Sequence, residues 1–261
     1  MKRTVLAVSF GTTYEESLRT DIGAVEAAVG AAFSGWELRR AFTSGMVVKS
    51  LRAKGIWIDT VEEALERLEE EGGGELVVQP THVLPGREYD AMTEAVRKHR
   101  QGFSSVRCGA PLLWEEGDYR CVAEILREDA APYLDGSTAM VFMGHGTDHW
   151  ANEAYSRLNE RLCQDGAERI FVGTVEARPD IEDTIRAVAL MGVRRVVLKP
   201  FMIVAGDHAS NDMAGEEEDS WKSRFESLGY ETVCLVQGMG RSPKIGAVFA
   251  EHAKKAGQVE K

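Results

Sequence analysis

The chain has 261 residues, 44% of them hydrophobic, with 42 acidic against 31 basic side chains and a formal net charge of −11. That is enough apolar material for one large α/β domain or two smaller ones, each with its own core. The acidic balance argues against nucleic acid or an anionic membrane surface as the main partner, and no run approaches the roughly 18 apolar residues of a membrane span.

The first predicted strand is TVLAVSF, residues 4–10. Lys2 and Arg3 before it imitate the start of a signal peptide, but Val5 to Phe10 is too short for the apolar region of one, and acidic residues follow. A cytoplasmic protein is therefore expected. Further strands are predicted at 37–43, 75–79, 138–143, 169–175, 195–199 and 231–236. Between them, stretches such as DTVEEALERLEEEG and ANEAYSRLNERLCQDG repeat apolar residues at helical spacing and end in glycine. In the second of these, Ala151, Ala154, Tyr155, Leu158 and Leu162 form one stripe. The run EEEGGGE reads as a helix stop and loop, and a last helix near 242–257 is expected to pack across onto the first half. Cys108, Cys121, Cys163 and Cys234 form no CxxC pair and read as reduced, buried thiols. Alternating helices and continuously apolar strands imply parallel sheets covered by helices on both faces.

The two halves resemble each other. AVSFGTTYEES near the N-terminus parallels VFMGHGTDHWANE, which sets Phe10 opposite His145. VVQPTHVLPGREYDAM parallels VLKPFMIVAGDHASNDM, which sets Pro80 on Pro200, Gly86 on Gly206 and Glu88 on His208. Two separate signatures in the same order indicate a duplicated α/β unit, with one domain expected over residues 1–136 and the second over 137–261.

In an open parallel sheet, ligands bind beyond the carboxyl ends of the strands. His145 stands at such an end, Glu176 at another, and His208 in the loop after the strand at 195–199. One histidine at a strand end is more often a hydrogen-bonded loop residue than a ligand. Three converging groups of the types His, Glu and His are the donors expected around a divalent transition metal, with a position left open for a substrate. His149 reads as a rim residue. His82, after Pro80-Thr81, is left between lining a cleft and a subunit contact. His99 and His252 are expected to face solvent, and Arg178-Pro179-Asp180 to open a helix. The acidic run Glu216-Glu217-Glu218-Asp219 is read as a solvated helix face near enough to His208 to draw cations. GHGT is neither a P-loop nor GxGxxG, so no nucleotide is expected.

With those residues in hand, the chain resembles the class II tetrapyrrole chelatases, in particular the anaerobic-type sirohydrochlorin cobaltochelatases. The motifs that carry the resemblance are VSFGTTYEES, QPTHVLPGREYD, FMGHGT, GTVEARPD and KPFMIVAGDHASNDMAG, in order along nearly the whole chain. The resemblance implies two similar chelatase-like α/β domains with the active site in the cleft between them. It also implies metal ligation by His145 and His208, with a glutamate completing the site. Both Glu176 and Glu88 match glutamate positions. Glu176 is favoured because it shares a half with both histidines, and Glu88 is then expected to face the cleft from the other side; either glutamate could accept a proton. The implied reaction is ATP-independent insertion of Co2+ into sirohydrochlorin in the cobalamin pathway. Arg87 and Arg178, as basic residues near the cleft, are expected to meet the substrate carboxylates. Fe2+ insertion toward sirohaem is the alternative of the same class, and a non-catalytic metal or tetrapyrrole carrier the alternative of another. The expected partners are sirohydrochlorin and the metal ion, with room left for a homo-oligomer.

Overall fold

A computed structural model of the protein describes residues 2–259. The chain forms two compact units. One comprises the residues up to Trp114 together with those from Gly240 onward, and the other is Glu115–Met239.

The first unit begins with β1 (Arg3–Ser9), whose residues after Arg3 are all buried. A central strand, covered on both faces, has no solvent side to fill with polar residues. There follow α1 (Glu15–Ser17), a π-helical turn (Leu18–Ile22), α2 (Gly23–Ala31), β2 (Glu37–Phe42), α3 (Gly45–Ala53), β3 (Asp59–Thr60) and α4 (Val61–Glu70). Next come β4 (Glu75–Pro80), α5 (Arg87–His99) and β5 (Ser105–Cys108). The strands run parallel in the order β3-β2-β1-β4-β5. Thr60 caps α4 in a capping box with Glu63, which satisfies backbone donors that the helix start leaves open. The Arg52 guanidinium and the Thr60 backbone N–H hold the Glu63 carboxyl down at about 2. Leu6 and Val8 face Leu65, Leu68, Met92 and Val96 of α4 and α5 in one core.

The second unit starts with α6 (Glu116–Ala130) and continues through β6 (Thr138–Gly144), α7 (Glu153–Gln164), β7 (Ile170–Thr174), α8 (Ile181–Ala189) and β8 (Arg195–Pro200). A π-helical segment (His208–Met213), α9 (Trp221–Ser227) and β9 (Glu231–Cys234) complete it. All four strands are parallel, in the order β7-β6-β8-β9. Val141, Met143, Val196 and Leu198 pack against Met213, Trp221 and Phe225.

The order β7-β6-β8-β9 repeats β2-β1-β4-β5, and the register agrees. Val8 lies opposite Pro80 as Met143 lies opposite Pro200. Thr81 N–H donates to the Val8 carbonyl at 2.8 Å, and Phe201 N–H to the Met143 carbonyl at 2.7 Å.

The change of unit falls at Trp114/Glu115 and not near residue 136. The reason is the apolar side of α6. Tyr119, Val122, Ile125 and Leu126 are buried, and the helix packs on α7 and β7. Arg157 stacks over the Tyr119 ring at 4.2 Å, and Asp129 pairs with Lys199.

After β9 the chain returns to the first unit as α10 (Pro243–Lys254) and the short β10 (Gly257–Gln258), which pairs antiparallel with β5. Proline stands in the first turn of α10, where its missing N–H costs nothing. The helix packs along α2 and against β4, with Phe249 and Ala253 fully buried. His252, expected at the surface, is buried, its Nδ1 3.3 Å from the Ala110 carbonyl oxygen. His99 is also drawn in, held between Glu69 at 3.1 Å and Glu62 at 3.0 Å. Of the four free cysteines, Cys121 and Cys163 are exposed and Cys108 and Cys234 half-buried, so the expectation of buried thiols fails. Arg241, just ahead of α10, bonds the fully buried Asp21 carboxylate at 2.9 Å. Arg241→Ala is expected to lower stability by about 1.5–3 kcal/mol, the range for hydrogen bonds to a charged group, as read from the urea midpoint of the whole chain.

Candidate metal centre

The buried run of β6 ends at Gly144, and the chemistry begins one residue later. A side chain at Gly144 would place its Cβ 2.4 Å from the Tyr155 ring. Tyr155 is buried beneath the turn, which pushes its phenol up to about 12. Its hydroxyl oxygen accepts from the Gly146 N–H at 3.4 Å. Gly146 has φ +85°, and a Cβ there would lie 2.8 Å from the Ala177 nitrogen. Only glycine lets the turn after β6 lie so close to the turn after β7.

The two turns are joined by backbone hydrogen bonds that prolong the sheet. Val175 N–H donates to the Gly144 carbonyl at 3.0 Å and Glu176 N–H to the His145 carbonyl at 2.9 Å. Asn152 ties the same turns from the side. It accepts from Thr147 N–H at 3.0 Å and donates to the Arg178 carbonyl at 2.6 Å. His145 and Glu176 are thus neighbours because of the backbone that carries them. His208 arrives from the segment after β8, in the first position of the π-helical stretch. Such segments are frequent at functional sites.

The three side chains converge. One ligand atom from each of His145, Glu176 and His208 lies within 4.8 Å of the others, and among the described residues they form the only such group of three or more His, Cys, Asp or Glu. His145 Nδ1 is 3.6 Å from Glu176 Oε2. The two imidazole rings meet edge to face at 86° with centroids 4.6 Å apart. Donors around one first-row ion are on the order of 3–4 Å apart for bonds of about 2 Å, so modest rotation at this exposed rim would close them on a metal. His145 and Glu176 are exposed and His208 is half-buried, which leaves the outer side of such an ion accessible.

The second nitrogen of each imidazole has a partner. His145 Nδ1 lies 2.8 Å from the Gly146 carbonyl oxygen. A carbonyl only accepts, so this bond is made with the proton on Nδ1 and leaves the lone pair on Nε2. His208 Nδ1 lies 2.6 Å from Asp212 Oδ2. Asp212 and Asn152 are residues that sequence reasoning missed. The four-residue spacing from His208 to Asp212 on a helical stretch could have shown the first, whereas nothing local marks Asn152 as a tie between two turns.

The group of three does not include the other expected site residues. Glu88 and Arg87 occupy the first turn of α5 in the first unit, both exposed. Arg178 is 77% exposed and lies 3.7 Å from Asp180 and 3.6 Å from Asp183. Arg178-Pro179-Asp180 leads into α8 as expected, with Asp180 as its cap. His149 has a structural role, its Nδ1 accepting from Ala151 N–H at 3.3 Å. His82 has neither ring nitrogen hydrogen-bonded among the described residues, and burial pushes its imidazole down to about 4. Glu216 pairs with Lys222, and the acidic run it begins is exposed.

The first unit keeps the backbone frame without the ligands. Thr43 N–H donates to the Ser9 carbonyl at 2.9 Å and Ser44 N–H to the Phe10 carbonyl at 3.2 Å. Phe10 and Ser44 hold the places that His145 and Glu176 hold in the second unit.

A family model described as cobalt chelatase (CbiK) matches residues 3–258. The chain is 39% identical to the sirohydrochlorin cobaltochelatase of Salmonella typhimurium over 98% of its own length and 97% of that protein's. It is 30% identical to the sirohydrochlorin cobaltochelatase CbiKC of Nitratidesulfovibrio vulgaris over 98% and 90%. Two solved structures share the fold. SirB from Bacillus subtilis with Fe3+ has TM-score 0.65 at 14% identity, with 98% of this chain and 95% of that one covered. CbiX, the terminal enzyme for biosynthesis of siroheme in denitrifying bacteria, has TM-score 0.60 at 18% identity, covering 97% and 99%.

Proposed function

The chain belongs to the cobalt chelatase (CbiK) family, and from that premise we propose that it inserts Co2+ into sirohydrochlorin at the centre formed by His145, Glu176 and His208. The observation that carries the assignment is the convergence of these three groups at strand ends of one unit, within 4.8 Å.

Insertion exchanges one Co2+ for two inner N–H protons of the macrocycle. The ion must shed water, the ring must expose its nitrogen lone pairs, and both protons need acceptors. Two neutral imidazoles and one carboxylate replace part of the water shell, and the open side leaves room for the macrocycle nitrogens. As the bonds to protein pass to the macrocycle, a freed imidazole lone pair can take one proton. Glu88 is the proposed acceptor of the other. Arg87 and Arg178 are proposed to meet substrate carboxylates, Arg178 by exchanging its present acidic neighbours for them. Metal–nitrogen bond formation drives the exchange, so no nucleotide is required. The donor set also accommodates Fe2+, and metal supply helps decide between the two. The four free cysteines accord with work in the reducing cytoplasm.

The test is incubation of purified protein with sirohydrochlorin and Co2+ in the absence of ATP. The macrocycle absorption spectrum is expected to change over many turnovers per protein. Stoichiometric metal uptake with an unaltered macrocycle would instead identify a carrier.

A further inference from the structure

We propose that Asp212 is a positioning residue for metal capture: it holds the His208 imidazole in the tautomer and orientation that present Nε2 to the incoming ion. The proposal rests on the metal-centre reading above and deepens it.

The geometry is direct. His208 Nδ1 and Asp212 Oδ2 are 2.6 Å apart, four residues from each other on the π-helical segment His208–Met213. A carboxylate accepts, so the bond is made with the proton on Nδ1 and leaves the Nε2 lone pair directed away from Asp212. His145 gains the same fixation from the Gly146 carbonyl at 2.8 Å, an acceptor built into the backbone of its own turn. His208 lies beyond the end of β8, in a helical segment whose own backbone bonds occupy its carbonyls. Its orienting acceptor is the Asp212 side chain. A carboxylate there also raises the donor strength of the imidazole.

Asp212 is half-exposed and packs into no core, so its removal should act on the ligand and not on the fold. The experiment measures Co2+ affinity by competition with a chelator of known strength. It also records the visible absorption of bound Co2+, which reports ligand geometry, and checks each variant by thermal melting. Asp212→Ala is expected to weaken Co2+ binding by about tenfold to a hundredfold, the usual effect of losing such a partner, and to alter the cobalt spectrum. Asp212→Asn, whose carbonyl can still accept from Nδ1–H, is expected to recover affinity to within about threefold of the parent. In a His208→Ala background, Asp212→Ala is expected to add no further loss, because the residue it positions is gone. If the alanine variant fails to fold, Asp212→Ser, too short to reach Nδ1, takes its place in the same cycle.

Unchanged affinity in Asp212→Ala would overturn the proposal. So would an equal loss in the His208→Ala background, which would make Asp212 a ligand or a simple attractor of cations. Asp212→Asn as weak as Asp212→Ala would assign the effect to charge and overturn positioning. If His208→Ala itself kept full metal affinity, the metal-centre reading would fail instead, and that outcome is distinct from the others.

Discussion

Replacing either His145 or His208 with alanine is expected to lower cobalt insertion by about a hundredfold or more while the protein stays folded. On the proposed reading each replacement removes one of three protein donors and a proton acceptor, and losing even a second partner of a ligand typically costs about tenfold to a hundredfold. The fold should tolerate the change because His145 is exposed and His208 half-buried, both at a sheet rim, whereas the core lies beneath them in Val141, Met143, Val196 and Leu198. Co2+ titration, the insertion rate and a melting curve separate the effects. Glu176→Gln in the same series keeps shape and removes charge, and should weaken metal capture more than macrocycle binding. Wild-type metal affinity and turnover in both histidine variants would sink the assignment.

Gly146→Ala is expected to damage the same centre without touching a ligand. The backbone there has φ +85°, and the new Cβ would lie 2.8 Å from the Ala177 nitrogen and 3.0 Å from the Thr174 side chain. The first obstacle is backbone, which cannot rotate away. The turns bearing His145 and Glu176 must therefore separate, stretching the 2.9 Å bond between Glu176 N–H and the His145 carbonyl. Strain of this kind costs on the order of 1–3 kcal/mol, enough to show as a lower melting temperature. Cobalt affinity should fall by about tenfold or more, since displacement by an ångström is costly at a site that works by positioning. An alanine variant with parental melting temperature and parental cobalt affinity would show that the close approach of the two turns is not required.

The sequence was most readable where burial leaves a continuous apolar signature. β1, β4, β6 and β8 are such strands, and the paired signatures around Pro80 and Pro200 predicted a repeat that the registers of Val8 with Pro80 and Met143 with Pro200 reproduce. β5 and β3 were not legible. Ser105–Cys108 has one fully buried residue in four, and Asp59–Thr60 is too short to show a period. The unit boundary was misplaced because an amphipathic helix does not declare which sheet it covers; α6 could have served either neighbour in sequence. His252 looked solvent-facing among lysines and acids, yet the face it occupies on α10 is set by packing against the first unit. His145, Glu176 and His208 could be named from strand ends, since topology alone brings such ends to one rim. Asp212 and Asn152 could not be ranked the same way, because their roles depend on what a single hydrogen bond reaches.

The return of the chain to the first unit has a bearing on how the protein is made. On the ribosome, the residues up to Trp114 appear first but lack the helix that covers α2 and β4. Glu115–Met239 is contiguous and can finish folding as soon as it has emerged, as domains generally do during synthesis. The usual order of birth is therefore inverted. The later-encoded unit, with its three metal-binding candidates, can mature while the earlier one still waits for Phe249 and its neighbours to fill its core. Until α10 arrives, the faces of α2 and β4 that it covers have no partner helix, and the apolar side chains there wait for Phe249 and Ala253.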